Sequence, residues 1–251
     1  GQYGSRLGVL AARPAPVALT GIGYPGTLGL DAVGYKLGDR LIHPEGGPER
    51  LHERPLRLPY MLCYRPPAHA PEAVRRPPGA PMTFGSFNQL SKIGPTCLEA
   101  WRLALIAVPE ARLLVKRREI AGRERWFHDR FAAHGLPMDR VSLEGGEAGH
   151  GDHLARYADI DIALDTYPYN GTTTTCEALW MGVPVVSLVG DRESSRTGLS
   201  LLTAAGRPAD AVATPAAFAG RVAALARDAA GRADWRVDAR RPPRASAPLA
   251  A

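Results

Sequence analysis

The sequence predicts an α/β protein built on open parallel, Rossmann-like sheets. Two observations carry that prediction. Strand-like and helix-like segments alternate about six times over roughly 150 residues from Met82 onward, the pattern of repeated βαβ units. The clearest of these units, within Asp159–Asp191, reads as strand, Gly-containing loop, helix and strand in direct succession, as a parallel crossover requires.

Taken in order, Ser5–Arg13 carries Leu7, Val9 and Leu10 and reads as the end of a helix, broken by Arg13-Pro14-Ala15-Pro16. Val17–Gly21 reads as a short strand. The Gly- and Pro-dense loop at 21–27 follows it, at the strand end where open α/β sheets bind ligands. Tyr35–Gly38 and Leu56–Pro59 are two further short strands. The Pro- and Ala-rich stretch 66–81 has no period and reads as an exposed, semi-rigid linker.

The fuller pattern starts with a strand over Thr83–Asn88, a loop over Gln89–Pro95 and a helix over Thr96–Val108. Leu98, Trp101, Leu105 and Val108 fall on one face of that helix. Arg112–Lys116 is a strand, Gly122–His134 a helix ended by Gly135-Leu136-Pro137, and Val141–Leu143 a third strand. A short helix starts near Asp152. A strand over 185–189 and helices over Ser194–Ala205 and Pro215–Asp228 complete the pattern. From 236 to the end the sequence reads as a disordered tail rich in Pro, Arg and Ala.

Asp159–Asp191 concentrates the polar chemistry. The apolar run within Asp161–Thr166 reads as a buried strand, and Tyr167–Gly171 as a loop marked by Pro168 and Asn170-Gly171. Four threonines then open a helix that Gly182 and Pro184 stop. A helix N-terminus presents unpaired N–H groups and partial positive charge, which suits a phosphate. Threonine is also a favoured N-cap, so anion binding and plain capping both stand. No Gly-Lys-Ser/Thr follows, which excludes the P-loop pattern.

Composition narrows the class. The longest apolar runs fall short of the roughly 18 residues a membrane span needs. The N-terminus has neither a basic head nor a long apolar core, which excludes a secretory signal. The chain lacks an initiator Met and opens in mid-element, so it reads as a fragment. Cys63, Cys97 and Cys176 are odd in number and far apart, which argues for a reducing cytoplasm rather than a disulfide framework. The seven histidines show no zinc-like spacing. A formal charge of +6 suits an anionic ligand, but the basic residues are dispersed, so nucleic acid is not expected. Only Lys36, Lys92 and Lys116 of the 31 basic residues are lysines, which makes a lysine inside a motif worth weighing.

Three stretches resemble one known family: GYPGT at 23–27, FGSFNQLSKIGP at 84–95, and LDTYPYNGTTTTCEALWMGVPVVSLVGDRESSRTGLSLLTAAG at 164–206. They are similar to the catalytic region of the O-linked N-acetylglucosaminyltransferase family, including its bacterial Spindly-like members. The resemblance implies a GT-B fold, in which two Rossmann-like domains face each other and the second binds most of a UDP-sugar without a metal. Residues 1–65 would then be the remnant of the first, acceptor-side domain, and 82–235 the second domain. It implies that Lys92 contacts the donor diphosphate as the catalytic cation and that Gln89 touches the same nucleotide. His153 and Arg156, three apart on one helix face, would meet the uracil. Thr172, Thr173 and Thr174 would hold the phosphates, Glu177 the ribose, and Ala148, Asn170 and Gly171 would complete the nucleotide-sugar site. Ile22 and Gly23 would approach the sugar from the other domain. Ser91, Tyr169 and Thr172 depart from the residues that line the sugar pocket in the best-known animal enzyme.

The resemblance thus implies an inverting transfer of N-acetylglucosamine from UDP-GlcNAc to Ser or Thr hydroxyls of a polypeptide, with helical repeats upstream. Transfer of glucose to Asn, or of fucose from a GDP-sugar, stands as a rival. A nucleotide-binding module without catalysis is a rival from another class. Alone, the 251-residue chain is expected to bind UDP weakly and to need its upstream half for transfer.

Overall fold

Two parallel sheets organise the chain in the computed structural model, which describes residues 6–68, 70–73, 76–77, 79–146 and 150–238. Helix α1 (Leu7–Ala11) precedes the first sheet, in which β1 (Leu19–Thr20), β2 (Tyr35–Asp39) and β3 (Arg54–Leu58) pair in that order. Strand β3 starts two residues earlier than expected, at Arg54 opposite Tyr35. It is an edge strand, where Pro55 can be accommodated without breaking a ladder.

The second sheet holds β4 (Thr83–Ser86), β5 (Arg112–Lys116), β6 (Val141–Glu144), β7 (Ile162–Leu164), β8 (Val185–Leu188) and β9 (Ala211–Val212). The spatial order is β6-β5-β4-β7-β8-β9, parallel throughout. Numbered within this sheet, that order is 3-2-1-4-5-6, the doubly wound dinucleotide-fold order, which reverses between β4 and β7. The crossovers carry α2 (Pro95–Ala107), α3 (Glu124–Ala133), α4 (His150–Ala155), α5 (Thr173–Trp180) and α6 (Thr197–Ala204). Helices α7 (Pro215–Arg227) and α8 (Ala229–Asp238) close the unit. Proline at the first position of α2 and of α7 starts each helix where no intrahelical N–H is needed.

Successive strand residues feed opposite faces of the sheet. Leu113 and Val115 join Phe84, Trp101, Phe131 and Phe218 in a core under α2, α3 and α7. Leu114 joins Phe87, Leu154, Tyr157 and Leu202 in a second core under α4, α5 and α6. Burial on both faces explains why the strands read as continuous apolar runs. The expected apolar face of α2 is buried along its length at Leu98, Trp101, Leu105 and Val108.

Two expectations need correction. The linker at 66–81 is not simply exposed, since many of its described residues are half-buried. Arg76 pins it by donating to the Asp159 and Pro81 carbonyls and approaching Asp161. The first residues of the tail expected from 236 on are helical instead, because α8 runs to Asp238, and the rest of that stretch lies outside the described residues. Arg236 is buried there and donates to the Ile160 carbonyl. Among the described residues, no helix is long and apolar enough to cross a membrane.

Candidate functional site: a cleft at the sheet switch point

The chain reverses its strand order between β4 and β7, so the loops leaving these two strands splay apart above the sheet. Their far ends are tied together. Gly94 N donates to the Tyr167 carbonyl at 2.8 Å, and Ile93 bridges to Pro168. Between the ties, Lys92 ends a single 3-10 turn (Leu90–Lys92). Its Nζ donates to the Asn170 carbonyl at 3.0 Å and lies 4.0 Å from the centre of the Tyr169 ring. Burial lowers the Lys92 pKa, and the carboxylate of Asp165 opposes that fall.

Asp165 holds the β7 loop. Its Oδ1 accepts from Thr166 N at 2.8 Å and Gly171 N at 2.7 Å, and Nδ2 of Asn88 lies 3.4 Å away. Its Oδ2 accepts from the Ser187 hydroxyl. Asn170, fully buried, donates to the Thr166 and Leu188 carbonyls and accepts from Gly198 N. A Cβ on Gly171 would stand 2.6 Å from Thr175 Oγ1 and 2.8 Å from Asn88 Oδ1, so only glycine fits there. Asn170 and Gly171 therefore shape the loop from behind and do not line the cleft.

The cleft above has a volume of about 730 Å³ and is walled by both sheets' loops. Ile22, Gly23, Gln89, Lys92, His153, Thr172, Thr173, Thr174 and Glu177 all line it. Nine of the residues singled out from sequence thus share one cavity. The question of the threonines is also answered in part: Thr172 is the N-cap of α5, and its side chain makes no cap hydrogen bond. Thr172, Thr173 and Thr174 line the cleft, beside first-turn amides that no helix can satisfy internally.

At one end of the cleft, His153 Nε2 lies 3.1 Å from Glu177 Oε2, and its ring meets Phe87 edge-on. The Tyr157 hydroxyl donates to the Thr174 carbonyl at 3.1 Å and approaches the same Glu177 oxygen at 3.4 Å. Arg156 departs from the shared-face expectation. Helix α4 ends at Ala155, and Arg156 opens a tighter turn that carries its guanidinium to Glu144 and Asp159, outside the cleft lining. Ala148 lies outside the described residues.

Sequence reasoning missed several lining residues. Lys116, at the end of β5, and Arg117 and Arg118 just beyond it bring three more cations to the cleft. They sit at the carboxyl end of a predicted strand, but only the strand order places that strand beside the switch point. Asn88 was passed over too. Its Oδ1 is buried without a hydrogen-bond partner among the described residues.

The first sheet closes the opposite end. Gly23, at φ +114°, turns the loop after β1 toward the cleft, a conformation that glycine adopts freely. Arg196 donates to the Leu41 carbonyl at 2.7 Å, and the Ser200 hydroxyl donates to Asp39 at 2.6 Å. Glu193, also unnoticed in sequence, lines the cleft at this seam.

Two parallel α/β units that meet across a cation-lined cleft define a protein of the GT-B type. The chain belongs to glycosyl transferase family 41, whose model matches residues 72–231. It is 43% identical over 208 residues to the Arabidopsis thaliana protein named probable UDP-N-acetylglucosamine–peptide N-acetylglucosaminyltransferase SPINDLY, a match that covers 80% of this chain and 23% of that protein. The UDP-N-acetylglucosamine–peptide N-acetylglucosaminyltransferase of Caenorhabditis elegans is 34% identical over 131 residues, 52% of this chain and 11% of that one. A lysine-to-methionine mutant of the Thermobaculum terrenum O-GlcNAc transferase superposes with a TM-score of 0.84 at 36% identity, covering 94% of this chain and 45% of the other. The chain spans under a quarter of the length of these curated relatives.

Proposed function

We propose that this chain forms the donor-binding cleft of an inverting glycosyltransferase that moves N-acetylglucosamine from UDP-GlcNAc to Ser or Thr hydroxyls of proteins in the cytoplasm. One observation carries the proposal. Lys92 on the β4 loop and the uncapped N-terminus of α5 on the β7 loop flank the switch point and face one cavity. The peptide N-acetylglucosaminyltransferase names of the relatives support the same reading. His153 and Glu177 take the nucleoside end. Thr172–Thr174 and Lys92 take the diphosphate, and the loop at Ile22 and Gly23 faces the sugar.

In the reaction, an acceptor oxygen attacks the anomeric carbon in line with the bond to the diphosphate, and the configuration inverts. Negative charge grows on the departing UDP. Fixed donors placed where charge develops lower the barrier. Lys92, Lys116, Arg118 and the α5 amides supply those donors from the protein, so no metal step is included. Chelation with EDTA is expected to leave turnover unchanged, and a loss restored by Mg²⁺ would overturn the metal-free reading.

Calorimetric titration of the chain with UDP, GDP and their sugars tests the donor assignment. UDP and UDP-GlcNAc are expected to bind at the cleft in preference to GDP-fucose. Preference for the guanine nucleotide would reassign the donor, and binding of neither would favour a scaffold role. The threonines provide a finer test. Changing both Thr173 and Thr174 to Val should weaken UDP binding while the melting temperature stays nearly constant. A role limited to capping would instead cost about 1 kcal/mol of stability and spare affinity.

A further inference from the structure

Glu193 begins a 3-10 turn (Glu193–Ser195) just before α6 and is 3% exposed, yet it lines the cleft. Its Oε2 accepts from Gly26 N at 3.0 Å and lies 3.0 Å from Lys36 Nζ and 3.5 Å from His43 Nε2. Its own N–H donates to Glu49 Oε2 at 2.8 Å. Gly26, Lys36, His43 and Glu49 all belong to the first-sheet unit, so this one residue is gripped from across the seam. Burial, and then the charge of Lys36, pushes the His43 pKa down to about 4. His43 is therefore neutral, and fully buried Lys36 is the counter-charge of the carboxylate. Oε1 has no hydrogen-bond partner among the described residues.

A buried ion pair is a weak device for stability, because desolvation cancels much of the attraction. Its place in the cleft wall gives it another use. Lys92 lies against the Tyr169 ring. The loop carrying Tyr169 is tied to Ser194, next to Glu193, by the Asn170 N–H donating to the Ser194 carbonyl at 2.7 Å and the Ser194 hydroxyl donating to the Pro168 carbonyl at 3.3 Å. Away from His153 and Glu177, the cleft therefore runs past Lys92 and Tyr169 to Glu193 and the loop at Gly23 and Pro25. A donor whose diphosphate sits at Lys92 and α5 places its sugar at that end.

We propose that Glu193 is a sugar-hydroxyl receptor, its Oε1 accepting a hydrogen bond from the donor sugar while Oε2 stays tied to Gly26 and Lys36 across the seam. The assignment rests on the donor-site reading above. It makes Glu193 a specificity-determining residue, and Lys36 and His43 its positioning partners.

The test measures the affinity of the full chain for UDP and for UDP-GlcNAc by calorimetry. Two variants are compared with the wild type: Glu193→Gln, and the double change Lys36→Met with Glu193→Leu, which strands no buried charge. The ratio of UDP-GlcNAc to UDP affinity is expected to fall at least tenfold in both, with UDP affinity itself held within threefold. Equal weakening of the two ligands would reveal a structural role only and overturn the assignment. So would an unchanged ratio, including one accompanied by lost transfer in the longer protein, which would move Glu193 to the acceptor. A wild-type chain that binds neither ligand sinks the donor-site reading itself, and this assignment with it.

Discussion

Replacing Lys92 by methionine is expected to slow sugar transfer by about 10²–10³-fold while the protein keeps its fold. Removing one preorganised donor to a developing anion typically costs about 2.7–4 kcal/mol of transition-state stabilisation. Lys92 fits that role better than the other cations lining the cleft. It is held in place by the Asn170 carbonyl and the Tyr169 ring, so it need not reorganise as the bond breaks. Arg118 is exposed, and Arg117 is drawn to Glu119. The structural cost is small, because Asn170 keeps its hydrogen bonds to Thr166, Leu188, Ser194 and Gly198. About 1–2 kcal/mol of stability should go with the lost hydrogen bond and ring contact. The longer protein carrying Lys92→Met should show kcat and kcat/KM falling together, with a melting temperature only slightly lower. Turnover at the wild-type rate would remove Lys92 from the chemistry.

The strands of the second sheet were legible because double burial writes itself as unbroken apolar runs, as at Leu113–Val115 and Val185–Leu188. Strand β9 was not, since two residues carry no period. Helix α8 was hidden by its polar composition. It is anchored by the buried guanidinium of Arg236, by Arg232 donating to the Leu225 and Ala226 carbonyls, and by close packing of the backbone at Arg236 on Gly182. At the site, residues on the β4 and β7 loops could be read from local motifs, because strand, loop and helix follow one another directly. Lys116, Arg117 and Arg118 reach the cleft only through the strand order, which no local motif states. Glu193, within GDRESSR, carried no local signal. Its partners Gly26, Lys36 and Glu49 lie more than a hundred residues earlier, and nothing local predicts their meeting. Arg156 failed for the opposite reason. Its spacing from His153 suggested a shared helix face, but the helix ends between them and two nearby acids capture the guanidinium.

The largest loss of stability is expected at Asp165. Its carboxylate is buried at the switch point and collects the Thr166 and Gly171 amides, the Ser187 hydroxyl and the Asn88 amide. Asp165→Ala strands these donors in the interior, and such groups cost about 1–3 kcal/mol each when left unpaired. A total of about 3–5 kcal/mol is expected after the loop relaxes, with nucleotide binding lost alongside. Asp165→Asn keeps the shape and isolates the charge. Burial raises the Asp165 pKa from the ordinary 3.8 to about 6, against the pull of the Ser187 hydroxyl and the Gly171 and Thr166 amides. Between those two values the folded protein binds a proton that the unfolded chain does not, so the wild type gains stability as pH falls through 6 toward 4. Above about pH 7 both states are ionised, and the burial cost is constant. The Asn variant has no such titration. The wild type should therefore gain on Asp165→Asn by on the order of 2–3 kcal/mol as pH drops from 7.5 to about 4. Urea denaturation of both proteins at several pH values measures the difference directly. Wild-type stability relative to Asp165→Asn that stays flat across that range, or rises toward high pH, would show that Asp165 does not carry a buried charge. An Asp165→Ala protein within 1 kcal/mol of wild type would show that the loop at the switch point is held by other means.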